Sequence, residues 1–572
     1  MMLVVAEKPS VARAIARTLK TRGIKVEVLG LRGHLLDAEL PRGYEWNRVN
    51  PREIFGVRRF RSVVRDRESY GKLSRLLGDH VEELVIATDN DGEGELIGSE
   101  VLSLYRRFRN SGRFSRMRFN SVSEVELWRA WNNREPDLNW RWVWKATYRR
   151  NFDLVTGAAF TRLLTMSARR RGLRGLISWG SCQTPTLNYL VVREEEILGF
   201  KPKPYWVVKI RVRSSSGEEF EASSGRFYER EEAGKAYEKA LGERYAVVEA
   251  YEEAERAVSR PTPLRTDEML RDLNRITGMS AASILRTAEE LYSEGYISYP
   301  RTDTNRWPKG FDHRVPAQAA RDAGILEEAR AAEEAKPLQG RLDDHAHPPI
   351  YPIKPPKRDG SLRWRLWEYI ARRYSANAFF DDALLLRQKA SLRVGDLSLG
   401  SQGLRILEEG FYEVYPYFKP KPSPLPRLKT GERLEILEVR LVEERTKPPP
   451  RLTEAALLKL MERDGIGTDA TRAEYPRILL QRGYAVKSRR TLKPTKLGMT
   501  LITQLRRIDE RLVSPQTRRL VEENMRMIGE GLKSYEEAFE ETIKIYSELY
   551  KRLEGKAAEI GAALSNSRRI GS

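Results

Sequence analysis

Twice near the amino terminus a short apolar run ends on charged residues and gives way to a helical stripe, and that repetition limits the fold of this chain more than any other feature. In the first unit, Leu3 to Ala6 runs into Glu7-Lys8-Pro9-Ser10. Val11, Ile15 and Leu19 then recur at helical spacing, with Pro9 suited to a first turn. In the second, Leu84 to Ala87 leads through the Gly- and Asp-rich turn Thr88 to Gly94 into the stripe Leu96, Ile97, Val101 and Leu104. The pattern predicts a β/α domain over residues 1–145. Parallel strands of one sheet set their carboxyl ends along one edge, which would bring Glu7 beside the acidic turn.

That turn, Asp89-Asn90-Asp91-Gly92-Glu93-Gly94-Glu95, sets carboxylates at alternate positions directly after a strand, with glycines that permit tight turning. Mg²⁺ prefers an octahedron of oxygens and keeps several waters, so Asp89, Asp91 and Glu93, with Glu7 close by and a phosphate, would complete a shell. A twelve-residue Ca²⁺ loop is excluded because its later positions do not match. Taken alone, the same residues would serve equally as a solvated helix start, where Glu93 and Glu95 favour the dipole. Glu7 shifts that balance, because a glutamate facing clustered carboxylates has a raised pKa and can act as an acid. Lys8 is placed to neutralise a phosphate oxygen.

The partner class follows from charge. The 102 Lys+Arg against 81 Asp+Glu leave +21 over 572 residues, which suits a polyanion such as nucleic acid. No stretch approaches the roughly 18 apolar residues of a membrane span, so no membrane is expected as a partner. Met1 to Ser10 lacks the basic start and long apolar core of a signal peptide, so an intracellular location is expected. Cys182 is the one cysteine, which excludes an internal disulfide and a four-cysteine zinc site in this chain. The phosphate-binding Walker A string does not occur, so ATP is not expected.

A chain of this length serves several domains. Residues 146–204 read as mostly helical, and 205–261 carry alternating strands such as Trp206-Val207-Val208-Lys209-Ile210. The prolines of Ser259-Arg260-Pro261-Thr262-Pro263 mark a boundary, followed by a helical stretch from Asp267 to Tyr292. The unit 262–378 continues through the Pro-rich patch Pro348 to Pro356 and a helix from Leu362 to Tyr374, and strands return over 379–447. After Lys447-Pro448-Pro449-Pro450, residues 448–572 read as helical to the end, with Tyr535, Phe539, Ile543 and Tyr546 as a stripe and Ser565 to Ser572 as a frayed tail. The β region is thus split around a helical insertion.

That insertion holds Gly295-Tyr296-Ile297-Ser298-Tyr299-Pro300-Arg301-Thr302-Asp303-Thr304, a tyrosine after a short strand-like segment with an arginine close behind. A phenol can attack a phosphodiester if a cation stabilises the developing charge, and the planar fork of Arg301 matches two phosphate oxygens. By itself, the string would also fit an aromatic core residue beside a surface Arg301–Asp303 pair.

Together these motifs resemble the type IA DNA topoisomerases, closest to the topoisomerase III branch, over almost the whole chain. Ala6 to Ser10 and Ala87 to Glu95 look like the two halves of that family's TOPRIM metal domain. The resemblance implies Mg²⁺ at Asp89, Asp91 and Glu93, proton transfer to the leaving 3′ oxygen at Glu7, and a phosphate contact at Lys8. Gly33-His34-Leu35 resembles a Gly-His segment of the same domain. Ser178-Trp179-Gly180-Ser181-Cys182-Gln183-Thr184-Pro185-Thr186-Leu187 is similar to a strand-binding segment, which implies DNA contacts at Ser178, Gln183 and Thr184. Arg149 with Asp153 matches another DNA-contacting pair.

Ile297 to Thr304 matches the nucleophile motif, with Tyr299 and Arg301 in the reactive positions, and Ala346-His347-Pro348-Pro349-Ile350 matches a segment whose histidine approaches that site. His347, rather than His345, holds the matching position. Gly465-Ile466-Gly467-Thr468-Asp469-Ala470-Thr471 and Pro494-Thr495-Lys496-Leu497-Gly498 resemble segments of the family's helical domain. The implied architecture is multidomain α/β and α+β, a TOPRIM β/α domain plus helical and split β domains forming a four-domain torus. Many topoisomerase III relatives carry cysteine-rich zinc modules after the torus, and this chain contains none.

What the resemblance implies is an ATP-independent enzyme that uses Mg²⁺ and no zinc. It would cleave one strand of single-stranded or negatively supercoiled DNA through a 5′-phosphotyrosine, pass another strand and religate, relaxing supercoils or decatenating. It would be cytoplasmic and nucleoid-associated, with a RecQ-like or other helicase as partner. Two other classes stay open on the residues alone, a metal-dependent primase or nuclease built on the same domain and a DNA-binding scaffold without catalysis. A trapped protein–DNA adduct separates the first, and plasmid relaxation with and without Mg²⁺ separates the second.

Overall fold

The computed structural model describes residues 1–78, 81–109, 112–468 and 471–569. Asp469 and Ala470 of the glycine-rich motif, and Ile570 to Ser572, lie outside the described residues.

Four parallel strands form the amino-terminal sheet, in the order Glu27–Gly30, Met2–Ala6, Glu83–Ala87 and Arg113–Arg116. Side chains alternate across a strand, and here both faces are apolar. Val4 and Ala6 share a core with Val11, Ala12 and Ile15 of the helix Pro9–Thr21, while Leu3 and Val5 share another with Ile97 and Val101 of the helix Gly92–Phe108. The two helices therefore cover opposite faces. The register pairs Ala6 with Ala87, so Glu7 and Thr88 leave the sheet side by side. The acidic turn is shorter than its sequence suggests: Asp91 caps the second helix by accepting a hydrogen bond from the Gly94 N–H at 2.7 Å, so Gly92 and Gly94 already belong to it.

Glu95 does not face the turn. It is fully buried against Arg116, whose Nε donates to Oε1 at 2.8 Å, and it also accepts from Arg118 at 2.6 Å and the Asn139 N–H at 2.8 Å. The remaining Arg116 nitrogens donate to the carbonyls of Thr88 and Asp89, both at 2.9 Å. The backbone of the turn is thus bolted from beneath.

The helix Trp140–Arg169 runs unbroken across position 145/146, so the amino-terminal β/α region and the helical region share an element. The helices Pro515–Glu530, Tyr535–Glu554 and Ala557–Arg569 pack against it. The strands Pro204–Arg213, Glu219–Ser224 and Tyr245–Val258 join Ala383–Val394, Leu397–Glu408 and Arg433–Arg445 in one closed antiparallel barrel. Val258 pairs with Ala383, so the chain leaves the barrel for the Tyr299 region and returns at adjacent residues.

Four local expectations change. The stretch Asp267 to Tyr292 is two helices, Thr266–Thr277 and Ala281–Ser293, because Gly278 at φ +73° caps the first in the left-handed region. The helix from Leu362 continues past Tyr374 to Phe379. The carboxyl region is interrupted by a hairpin, Ala485–Ser488 with Thr491–Pro494. Its supposed frayed tail is helical to Arg569, with Leu564 buried and Ser565 donating to the Arg171 carbonyl at 2.7 Å. Among the described residues no helix is long and apolar enough to cross a membrane.

Removing one partner of a buried, hydrogen-bonded ion pair typically costs about 3–5 kcal/mol. Arg116→Ala is expected to lower the urea midpoint accordingly, followed by circular dichroism. Arg526→Ala, which removes an exposed arginine from Glu523 and Glu530, should leave that midpoint unchanged.

Candidate active site

Three carboxylates meet at the carboxyl edge of the sheet. Glu7 Oε2 accepts from the Asp89 N–H at 3.2 Å, and Lys8 Nζ lies 2.8 Å from Asp89 Oδ2 and 4.0 Å from Glu7. The facing wall comes from the insertion. Tyr292, on the helix Ala281–Ser293, donates its hydroxyl to Asp89 Oδ1 at 3.1 Å, and Tyr299 donates to Asp91 Oδ2 at 2.5 Å. The two phenol rings meet edge-on at 5.1 Å. Tyr299 is only 4% exposed, so its hydroxyl is enclosed between the two parts of the chain. It follows a single bridge between Ile297 and Pro352 rather than a strand.

The electrostatics divide the acids into two groups. Burial, with Asp89 adding repulsion, pushes Glu7 up to about 8 against the opposing charge of Lys8. Burial alone would lower Lys8, but Asp89 and Glu7 hold it above its ordinary value. Burial and then Asp91 and Asp89 hold the Tyr299 phenol well above 10, with Arg301 pulling the other way. Glu93 behaves differently. Burial would raise it, yet Arg149 at 2.5 Å and His34 at 3.1 Å bring it down to about 2. His34 in turn is pushed up to about 9, its hydrogen bonds to Glu100 and Glu93 outweighing burial. Glu93 is already compensated, whereas Glu7, Asp89 and Asp91 share Lys8 and are short of positive charge.

Among the described residues no three His, Cys, Asp or Glu side chains form a ready-made metal cage. The donor chemistry nevertheless suits a hard cation, since the acids are carboxylate oxygens beside one another and Glu7 is raised by burial and by the neighbouring Asp89. Glu93 joins such a set only by sharing its oxygens with Arg149 and His34.

The other candidates occupy three places. Arg301 pairs with Glu289, its Nε donating at 2.7 Å, while its charge acts on Tyr299 and Asp91. The His347 ring lies 4.7 Å from that of Tyr299, with Nδ1 3.5 Å from Asp344 and a buried Nε2 that has no hydrogen-bond partner among the described residues. His345 is exposed at φ +58°. Arg149 and Asp153 do not pair with each other: Asp153 accepts from Arg518 at 2.9 Å and Ser181 at 3.0 Å. Ser178, Gln183 and Thr184 are buried around the start of the helix Gln183–Gly199, where Gln183 Nε2 donates to Ser178 Oγ at 3.2 Å and Thr184 Oγ1 accepts from the Gly180 N–H at 3.3 Å. The structure brings His34 and Arg149 to the acidic turn and leaves those three apart from it.

Sequence reading missed Tyr292, Glu289 and Asp344. Tyr292 lies seven positions before Tyr299, a spacing with no meaning until Gly295 at φ +79° reverses the chain between them. It also missed two ties between the metal domain and the insertion: the Tyr299 N–H donates to the Asn120 carbonyl at 2.9 Å, and Asn90 Nδ2 donates to the Ala346 carbonyl at 3.1 Å. Asn90 stood inside the acidic motif, but nothing local says that an amide there turns outward.

Comparison with known proteins agrees with this arrangement. Residues 137–540 match the family model described as DNA topoisomerase, and residues 2–122 match the Toprim domain. The chain is 33% identical to human DNA topoisomerase 3-beta-1, over 95% of this chain and 68% of that one. It is 31% identical to DNA topoisomerase 1 of Pyrococcus horikoshii, over 99% and 86%. The fold matches full-length topoisomerase I from Thermotoga maritima with a TM-score of 0.77 at 24% identity, covering 96% of this chain and 90% of the other.

The tightness of the turn is testable at its glycines. A Cβ on Gly94 would stand 2.0 Å from the Asp89 carbonyl oxygen, whereas one on Gly92 meets nothing closer than the Trp142 carbonyl at 3.6 Å. Gly94→Ala is expected to cost at least the roughly 1–3 kcal/mol of overpacking and to lower the melting temperature, while Gly92→Ala leaves it unchanged or slightly higher. Equal effects of the two would show that the Asp89 backbone is not held where described.

Proposed function

Because the chain belongs to the type IA DNA topoisomerases, we propose that Tyr299 is its nucleophile and that Glu7, Lys8 and Arg301 serve the phosphoryl transfer. The observation that carries this reading is the Tyr299 hydroxyl, buried and already hydrogen-bonded to Asp91 within the carboxylate group.

A phosphodiester seated against Tyr299 takes Lys8 and Arg301 as counter-charges. The phenol keeps its proton until attack, since its surroundings hold it well above 10, and the Asp91 oxygen that accepts its hydrogen bond is placed to receive that proton. The bond from the Tyr299 oxygen to phosphorus forms as the bond to the 3′ oxygen breaks. Glu7, pushed up to about 8, is protonated near neutrality and supplies a proton to that oxygen. The His347 ring, tilted against that of Tyr299, has a buried Nε2 placed to donate to a phosphate oxygen. Mg²⁺, held by Asp89, Asp91 and Glu93 with Glu7 adjacent, would supply further charge stabilisation at the phosphate when bound.

The phosphotyrosine conserves the energy of the broken bond, so resealing is the reverse reaction and needs no ATP. Strand passage requires the insertion to part from the metal domain, which breaks the Tyr299–Asn120 and Asn90–Ala346 hydrogen bonds. Arg149, Asp153, Ser178, Gln183 and Thr184 support the strand along the helical region once it opens. Single-stranded or negatively supercoiled DNA in the nucleoid is the substrate, and a helicase that exposes single strands is the fitting partner.

Tyr299→Phe is expected to abolish plasmid relaxation and detergent-trapped covalent adduct while single-strand binding persists, and continued relaxation by that variant would overturn the assignment. Glu7→Gln should slow cleavage of an oligonucleotide by roughly 10²- to 10⁴-fold, the range of a lost acid catalyst, with binding kept. Chelation of Mg²⁺ should stop relaxation, and adding it back should restore it.

A further inference from the structure

A cleft of about 690 Å³ lies on the far side of the reaction centre, between the helix Pro9–Thr21 and the segments around residues 293–296 and 353–354. Ser10, Arg13 and Arg17 line it from one helix face, and both arginines are exposed. Neither arginine forms an ion pair among the described residues. The acids of the cleft are committed elsewhere, Glu124 to Arg22 at 3.5 Å and Glu294 to Arg363 at 2.6 Å. Across the cleft stands Lys354, exposed, with its Nζ 4.9 Å from the Tyr296 ring. Three cations therefore face one opening without carboxylate partners.

The cleft is continuous with the chemistry on both walls. Ser10 is two residues from Lys8, and Tyr296 is three residues from Tyr299. The helix Pro9–Thr21 covers the sheet face opposite the helix Gly92–Phe108, whose Glu93 meets Arg149 of the helical region. A strand crossing the reaction centre thus has the helical region on one side and this cleft on the other. The Tyr296 wall is tied to the Tyr299 segment, since the Ile353 N–H donates to the Tyr296 carbonyl at 2.9 Å and Ile297 bridges Pro352.

Resting on the strand-cleavage reading above, we infer that this cleft is a second single-strand site, which holds the phosphates of the DNA stretch that stays attached to Tyr299. Its arginines belong to the metal domain and Lys354 to the insertion, so the bound stretch bridges the two and favours the closed, resealing arrangement. On opening, the arginines are left behind and the stretch keeps only the Lys354 wall.

The test uses oligonucleotides with one cleavage position, a fixed length on one side and, on the Tyr299-linked side, a length rising from one to about six nucleotides. With the unaltered chain, affinity is expected to rise along this series and to weaken with salt. Arg13→Ala with Arg17→Ala should remove most of that rise, roughly tenfold for the longest member, and reduce the salt slope by about 1.4, the value for two single-strand phosphates. Arg13→Lys with Arg17→Lys should keep the rise, and a series lengthened on the opposite side should be unaffected by either pair. An alanine pair that retains the full rise, or that loses affinity equally in both series, overturns the inference. No Tyr299 adduct from the unaltered chain on any of these oligonucleotides overturns the strand-cleavage reading, and the inference with it.

Discussion

The carboxylate group at the edge of the sheet depends on an ion pair buried beneath it. Glu95 and Arg116, both fully buried, fasten the Thr88 and Asp89 carbonyls from below, so the carboxylates above project from a backbone that cannot relax away from its own repulsion. A loop free to move would spread Glu7, Asp89 and Asp91 apart and let Glu7 reach water. Held in place, Glu7 stays buried beside Asp89, and burial first and that neighbour second raise it. The rigidity sits beneath the turn, where Arg116 has traded its hydration for carbonyls and a carboxylate.

The second half of the site is contributed by the insertion, and it meets the first through polar contacts: two phenols onto two aspartates, a backbone N–H onto Asn120, and an asparagine onto Ala346. Such contacts are satisfied in the closed arrangement and can be satisfied by water or phosphate when parted, so separation leaves no bare apolar face at these points.

The sheet and its two covering helices are legible in the sequence because each apolar run is short, bounded by charge and followed by a stripe at helical spacing. The barrel is legible as strands, but not as one closed object, because its halves lie more than a hundred positions apart and the ladders that join them pair residues from one half with residues of the other. Local signals failed where tertiary contact decides the outcome. Glu95 reads as a helix-start residue that favours the dipole and folds away to Arg116. Asn90 reads as part of the acidic turn and reaches across to Ala346. The left-handed Gly278 carries a clear local meaning, a helix stop, and the helical spacing around it masks that meaning.

The pairing of Val258 with Ala383 has a mechanical consequence. The insertion is hung from the barrel by two crossings at neighbouring residues, and the Arg260 N–H donates to Asp382 at 2.9 Å just beyond them. A body attached there can swing about the two crossings without parting the barrel strands, but it must first release the braces beside them, where Arg372 donates to the Val414 carbonyl at 3.0 Å and Tyr415 to the Tyr369 hydroxyl at 3.2 Å. Force applied at Tyr299 therefore acts as torque on a latched pivot rather than as tension on the sheet.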